Sequence, residues 1–439
     1  MKKRTIFIII LALICVAMAV LVFVFAKNKP AKPADTTAAT TQPTTEEQVA
    51  DITLALSEYR AFLNWKADPD ADGYYVYYDT GDGWEEYGKA TVNSFRKKEL
   101  KGGTTYTFGI KPYRMEGEKE VLADEMLYTI RGTTLPDTPQ CQAEKNGSSV
   151  TLKWDAVNHA DEYIVYSMKP GESEWTREGI TKQTEFSFEK EGEALFTAVR
   201  AVRYADGEKF VSDYVKTRLT DQKPTGKMYS YGDSIATGVG SHSYSYANIF
   251  AEENNLELVN KATTGSQIAS SDPKKDHIAE NIIKDVNADL DYLFIEGGNN
   301  DYYFGAEPGK VTPEGTKEFD MNTTCGALEA ALSHLKEKSP NTTVVFIIIH
   351  NAGGRATTPN ELGYTFGDYA EGIRAVCEKY GVSVADILKD STFDTSDVSL
   401  SDKYTHKFNG VFPTGDGVHP TEEAYTKFYM PLVNKAAGK

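Results

Sequence analysis

Trp65 and Tyr74 recur as Trp154 and Tyr163, and both offsets are 89 positions (154 − 65 and 163 − 74). Tyr106, Phe108 and Ile110 meet Leu195, Thr197 and Val199 at the same offset. A unit that long is a tandem domain, because solenoid repeats run to only about 20–50 residues. Within it, short β-type runs such as Ala61–Trp65, Tyr74–Tyr78 and Thr105–Ile110 are separated by turn clusters like Asp79-Thr-Gly-Asp-Gly83. This repeat commits well over a third of the chain to two copies of one all-β unit.

Each copy has an early-strand Trp, a Tyr-x-Val-Tyr strand, and a strand like Tyr106-Thr-Phe-Gly-Ile-Lys-Pro-Tyr113. In these features the copies, 51–135 and 136–222, resemble fibronectin type III domains. The resemblance implies two β-sandwiches, each burying its Trp between two sheets. Trp65 and Trp154 are then core, and Trp84 and Trp175, which follow turns, are expected to pack at the core or its edge ahead of stacking on sugars. Spacing and presentation is the role expected of both domains.

Upstream, Lys2-Lys3-Arg4 precedes an unbroken apolar run from Ile6 to Ala26. As a helix it spans about 31 Å, enough to cross a bilayer. Residues 1–26 therefore read as a signal anchor with the N-terminus inside, although Ala17-Met-Ala19 leaves a cleavable peptide open. Residues 27–50, rich in Ala, Pro and Thr, read as a disordered linker. The expected location is the cell membrane, single-pass, with everything beyond the linker extracytoplasmic, or secreted if the segment is cleaved.

From 225 to 439 strand and helix alternate. Candidate strands are Met228–Tyr231, Leu256–Asn260, Tyr292–Glu296, Thr343–Ile349 and Val382–Ile387. Candidate helices are Tyr246–Asn254, Lys275–Asn287, Thr323–Glu337, Gly367–Tyr380 and Glu422–Lys435. The wholly apolar Val344–Ile349 suits a central parallel strand covered on both faces. The pattern predicts a three-layer α/β/α domain with a five-stranded parallel sheet. Its site then lies at the carboxyl ends of the strands.

Gly232-Asp233-Ser234 follows the first of these strands and is expected to place Ser234 near a helix start, where backbone N–H groups favour negative charge. A serine hydroxyl needs a base, and the base needs an orienting partner. Asp416 and His419, three residues apart, can supply both: the carboxylate reaches Nδ1 and leaves Nε2 for Ser234. The four segments Gly232-Asp-Ser234, Thr264-Gly-Ser266, Gly297-Gly-Asn-Asn-Asp301 and Asp416-Gly-Val-His-Pro420 resemble, in order and spacing, the blocks of the SGNH or GDSL-type hydrolases. The resemblance implies a serine esterase with Ser234, Asp416 and His419 as its triad. It also implies an oxyanion hole from the N–H groups of Ser234 and Gly265 and the side-chain amide of Asn300. Asp233 and Asp301 are expected to hold loops together. Ile235 stands where the family name has Leu, and Ala236 excludes the Gly-x-Ser-x-Gly elbow.

A formal charge of −17 excludes a nucleic-acid binder, and no basic stripe opposes that reading. The seven histidines form no HExxH-type pair, so neither a metal nor any other cofactor is expected. Cys325 and Cys377 read as buried free thiols. His350 reads as a satisfied core residue and Arg355 as a solvated loop cation. Ser243–Tyr246 and Tyr302–Phe304 either wall a sugar or acyl pocket or pack as a lid. The expected reaction is removal of acetyl or another short acyl group, from an acylated glycan, through an acyl-enzyme. The rivals are a catalytically idle glycan-binding or adhesion protein and a lysophospholipase-type lipid esterase. The sequence leaves the oligomeric state open.

Overall fold

The computed structural model describes residues 51–439. The anchor and linker expected over 1–50 lie outside the described residues. Among the described residues no helix is long and apolar enough to cross a membrane.

The N-terminal region is built of paired antiparallel sheets. In the first sandwich β1 (Ile52–Leu56), β2 (Ala61–Trp65) and β5 (Ser94–Lys97) form one sheet. The second sheet holds β4 (Glu85–Ala90), β3 (Gly73–Asp79), β6 (Thr105–Glu116) and β7 (Lys119–Leu122), with β8 (Tyr128–Thr133) also on β6. The second sandwich repeats the plan. Its small sheet is β13 (Glu185–Glu189), β10 (Ser149–Trp154) and β9 (Cys141–Asn146). Its large one is β12 (Thr176–Thr181), β11 (Glu162–Met168), β14 (Ala194–Ala205) and β15 (Glu208–Val211), with β16 (Thr217–Thr220) on β14. Trp65 and Trp154 are buried, each edge-on to its own tyrosine, Tyr74 or Tyr163, at 5.2 Å. Trp175 packs edge-on to Tyr214, while Trp84 stays exposed.

The C-terminal domain has a five-stranded parallel sheet of β17 (Gly226–Tyr231), β18 (Leu256–Asn260), β19 (Tyr292–Glu296), β20 (Thr343–Ile348) and β21 (Ser383–Asp386). Their order is β18-β17-β19-β20-β21. Helices α1 (Tyr246–Glu253), α2 (Ile278–Asp285), α4 (Thr324–Lys338) and α5 (Phe366–Tyr380) are among those that alternate with the strands. Between the second and third of these lies the short α3 (Asn299–Phe304), and after β21 come α6 (Ile387–Asp390) and α7 (Val398–Tyr404). The expected last helix is broken: α8 (Glu422–Ala424) passes through a π turn at Tyr425–Tyr429 into α9 (Met430–Ala436). Strand order reverses between β17 and β19, and in open α/β sheets that crevice is where ligands bind.

The sandwiches do more than lead up to this domain. Met168 and Phe196 of the second sandwich belong to the C-terminal domain's own apolar core. Lys216, nearly buried, pairs with Glu422 at 2.7 Å. The first sandwich reaches further along the chain, where Asn409 Nδ2 donates to the Leu56 carbonyl at 2.8 Å. The spacer role expected from sequence misses this docking.

Candidate active site

Three loops leave the carboxyl ends of β17, β18 and β19 and converge. Ser234 follows β17 and is 7% exposed. It opens a run of turns, not the helix start expected from sequence; α1 begins only at Tyr246. Within that run the Thr237 N–H donates to the Asp233 carbonyl and the Val239 N–H to the Ser234 carbonyl, both at 3.0 Å. The turn is pinned from below, since the Ile235 N–H donates to Asp233 Oδ1 at 2.9 Å and Tyr425 Oη donates to the Ile235 carbonyl at 2.7 Å.

The partners arrive on the loop before α8. Gly415 and Gly417 both have positive φ, +75° and +71°, which lets this loop double back. Asp416 Oδ1 accepts from the N–H groups of Val418 and His419, both at 2.9 Å. Its Oδ2 lies 2.5 Å from His419 Nδ1, and His419 Nε2 lies 2.9 Å from Ser234 Oγ. Burial pushes the Asp416 carboxyl up, but His419 and the backbone donors outweigh it and hold it below the usual range. The carboxylate is thus a fixed anion that orients the imidazole and stabilises its charged form, leaving Nε2 to take the serine proton.

Gly265 has φ +87°, and a Cβ there would meet nothing within 4 Å, so its backbone faces open space. Backbone conformation is what demands glycine, alongside the close approach expected from sequence. Asn300 sits in the first turn of α3. Its Nδ2 donates to Asp233 Oδ2 and to the Ser266 carbonyl, each at 3.0 Å. Both amide protons are therefore engaged, and donation to an oxyanion requires one of these acceptors to be exchanged. Asp301 receives the N–H groups of Ile268 and Ala269 at 2.9 Å and Thr324 Oγ1 at 3.0 Å. It ties the β18 loop to α3 and α4, as expected of a loop-holding residue.

Beneath Ser234 lies a group the sequence reading missed. Glu296, the last residue of β19, is fully buried. Its Oε2 accepts the Asp233 N–H at 3.1 Å, and its Oε1 has no partner. Burial, then the nearby Asp233 charge, pushes the Glu296 carboxyl far above the ordinary glutamate range; burial raises Asp233 as well. Glu296 is the neutral member of the pair. The signal was available: an acid closes the otherwise apolar Tyr292-Leu-Phe-Ile.

The other candidates separate. His350 is buried, with Nδ1 2.8 Å from Tyr429 Oη, but its Nε2 has no partner, so it is only half satisfied. Burial pulls it down to about 3. Arg355 is not a plain solvated cation, because Nη1 donates to Asn299 Oδ1 at 2.6 Å. Tyr244, Tyr246 and Tyr302 are core; Tyr303 and Phe304 are 60% and 44% exposed. Cys325 and Cys377 are buried free thiols.

Residues 230–427 match the model of the GDSL-like Lipase/Acylhydrolase family, a span that holds Ser234, Gly265, Asn300, Asp416 and His419. The chain carries a GDSL-like acylhydrolase domain, the domain of an ester hydrolase. Among solved structures similar to it is a protein from Lactobacillus plantarum, at 23% identity over 49% of this chain and 97% of that one, with a TM-score of 0.41. Another is phospholipase A1 from Streptomyces albidoflavus, at 18% identity over 48% and 99%, with a TM-score of 0.33. A two-domain fibronectin type III segment of chicken tenascin aligns at 18% identity over 39% of this chain and 97% of its own, with a TM-score of 0.27. No curated protein compared with the chain matches it. The family match spans the whole converging site.

Proposed function

We propose that the acylhydrolase domain is a serine esterase that removes acetyl or another short acyl group from carbohydrate. The observation that carries the reading is the continuous line from Asp416 through His419 to Ser234 Oγ, with contacts of 2.5 and 2.9 Å. Ser234 Oγ attacks the ester carbonyl as His419 takes its proton. The N–H groups of Ser234 and Gly265, with Asn300 once it gives up the Ser266 carbonyl, stabilise the oxyanion. Collapse expels the alcohol, protonated by His419, and water clears the acyl-enzyme by the same route. A carbohydrate alcohol is favoured because the exposed rings Tyr303 and Phe304 carry Arg355 and Lys275 on their faces, a polar rim suited to sugars. The two sandwiches, fibronectin type III-like in sequence, and the apolar run Ile6–Ala26 support an extracytoplasmic place at the membrane.

Ser234→Ala is expected to lower p-nitrophenyl acetate hydrolysis by at least about 10³-fold with an unchanged melting curve. Fluorophosphonate should label the wild type and not the variant. Full turnover by the variant would remove Ser234 from the mechanism, and a wild type that neither turns over nor labels would favour the idle adhesion protein.

A further inference from the structure

The chain has 64 acids against 47 bases. Where the first sandwich meets the loop of Asp416 and His419, the balance reverses. A groove of about 290 Å³ there is lined by Arg60, Arg96, Lys97 and Lys98 against the single acid Glu99, with Val411 and Phe412 as its floor. Among the described residues, none of these four cations has a carboxylate oxygen within 4.0 Å, and neither have Lys275 and Arg355. In a chain so rich in acid, cations left unpaired together point to a partner from outside.

Aromatic faces hold the guanidinium groups in place. Arg60 lies 3.9 Å from the Phe408 ring centre, and Arg96 lies 4.2 Å from Phe62 and 5.2 Å from Phe412. Stacking in this way occupies the planes and leaves N–H edges for a carboxylate or phosphate, beside the long bond that Arg60 Nη2 donates to Tyr59 Oη at 3.4 Å. The buried Nε of Arg60 has no acceptor. The buried Phe408 ring stands between Arg60, 3.9 Å from its centre, and His419, edge-on to it at 5.8 Å, so the groove lies one aromatic ring away from His419. Burial, and after it the charges of Arg60 and Lys275, disfavour the ammonium of Lys98. A bound anion relieves that repulsion.

The geometry points to a subsite for an anionic polysaccharide, gripped by Arg60, Arg96, Lys97 and Lys98, that leads its ester to Ser234. A glycan is favoured over an anionic lipid surface because Val411 and Phe408 beside these cations are buried and Phe412 is half-buried under Arg96, which leaves little apolar surface to insert into a bilayer. Delivery to Ser234 rests on the esterase reading above; binding of the polyanion does not.

The test titrates the Ser234→Ala protein with polygalacturonate, phosphorylated dextran and neutral dextran, and with vesicles of phosphatidylglycerol. Binding of either polyanion but not neutral dextran, weakening as salt rises, is expected. Whichever polyanion binds tighter names the anion. The R96E/K97E/K98E variant should weaken that binding by about ten-fold or more, with its melting curve unchanged. No polyanion binding, binding undiminished in the variant, or binding to vesicles alone would each overturn the subsite. The esterase reading would survive any of these, since it is decided by turnover and fluorophosphonate labelling of the wild type and Ser234→Ala.

Discussion

Glu296 lets one proton set the frame of the nucleophile turn. Its Oε2 accepts the Asp233 N–H, while Asp233 in turn holds Asn300 and the Ile235 N–H. If both carboxyls were charged, two anions would be buried in contact, so the pair keeps a proton on Glu296. The pH consequence has a definite sign. Below the ordinary glutamate range both folded and unfolded chains are protonated and nothing is lost. As pH rises toward the raised native value, only the unfolded chain releases its proton, and stability falls. Glu296→Gln mimics the neutral acid, accepting the Asp233 N–H and donating to its carboxylate. The variant is therefore expected to be more stable than wild type at neutral pH, with a gap that closes in acid. Urea melts of both proteins at acid and neutral pH measure this; a variant less stable at neutral pH would mean that Glu296 is charged in the fold.

At the scale of elements, the loop that carries Asp416 and His419 and the turn that carries Ser234 touch through glycine. Gly240 has φ +92°, and a Cβ there would lie 3.0 Å from His406 Cβ and from the His419 carbonyl. Gly240→Ala combines backbone strain of about 1–3 kcal/mol with displacement of His419 from Ser234. A fall in kcat larger than any rise in KM is expected, and steady-state kinetics would show it; a variant with wild-type kcat would mean the turn has slack. This distinction also explains what sequence could reveal. Ser234, Gly265, Asn300, Asp416 and His419 stand out in the sequence as candidates because each sits in a short block with a local turn or strand end around it. Strand limits at Leu256–Asn260 and Tyr292–Glu296 were legible for the same reason, through local apolar runs. Asn300's commitment to Ser266 was not, because it depends on two loops meeting in space. The π turn at Tyr425–Tyr429 was also hidden, since a helical period continues through it while the tyrosine hydroxyls are drawn to Ile235 and His350.

On the scale of the whole molecule, the contact that changes the meaning of the first sandwich joins residues 353 positions apart: Asn409 donates to Leu56. No local pattern encodes such a pair, which is why the sandwich reads from sequence as a spacer. Phe408 and Asn409 both adopt positive φ, +46° and +53°, uncommon for residues with side chains. That strain persists only if surroundings hold it, and the holders include Leu56 and Arg60 of the sandwich. His406, two residues earlier, exchanges backbone hydrogen bonds with the loop of Asp416 and His419: its N–H donates to the His419 carbonyl and its carbonyl accepts from the Asp416 N–H, both at 2.9 Å. Strain at 408–409 is thereby coupled to Asp416 and His419. Asn409→Ala leaves the Leu56 carbonyl to water or unpaired, at a cost of about 1 kcal/mol. It is expected to lower the melting temperature modestly, and kcat along with it, while KM for p-nitrophenyl acetate stays put, because the small ester touches none of these residues. A sandwich that only spaces would give the lower melting temperature, if that, and leave kcat at the wild-type value.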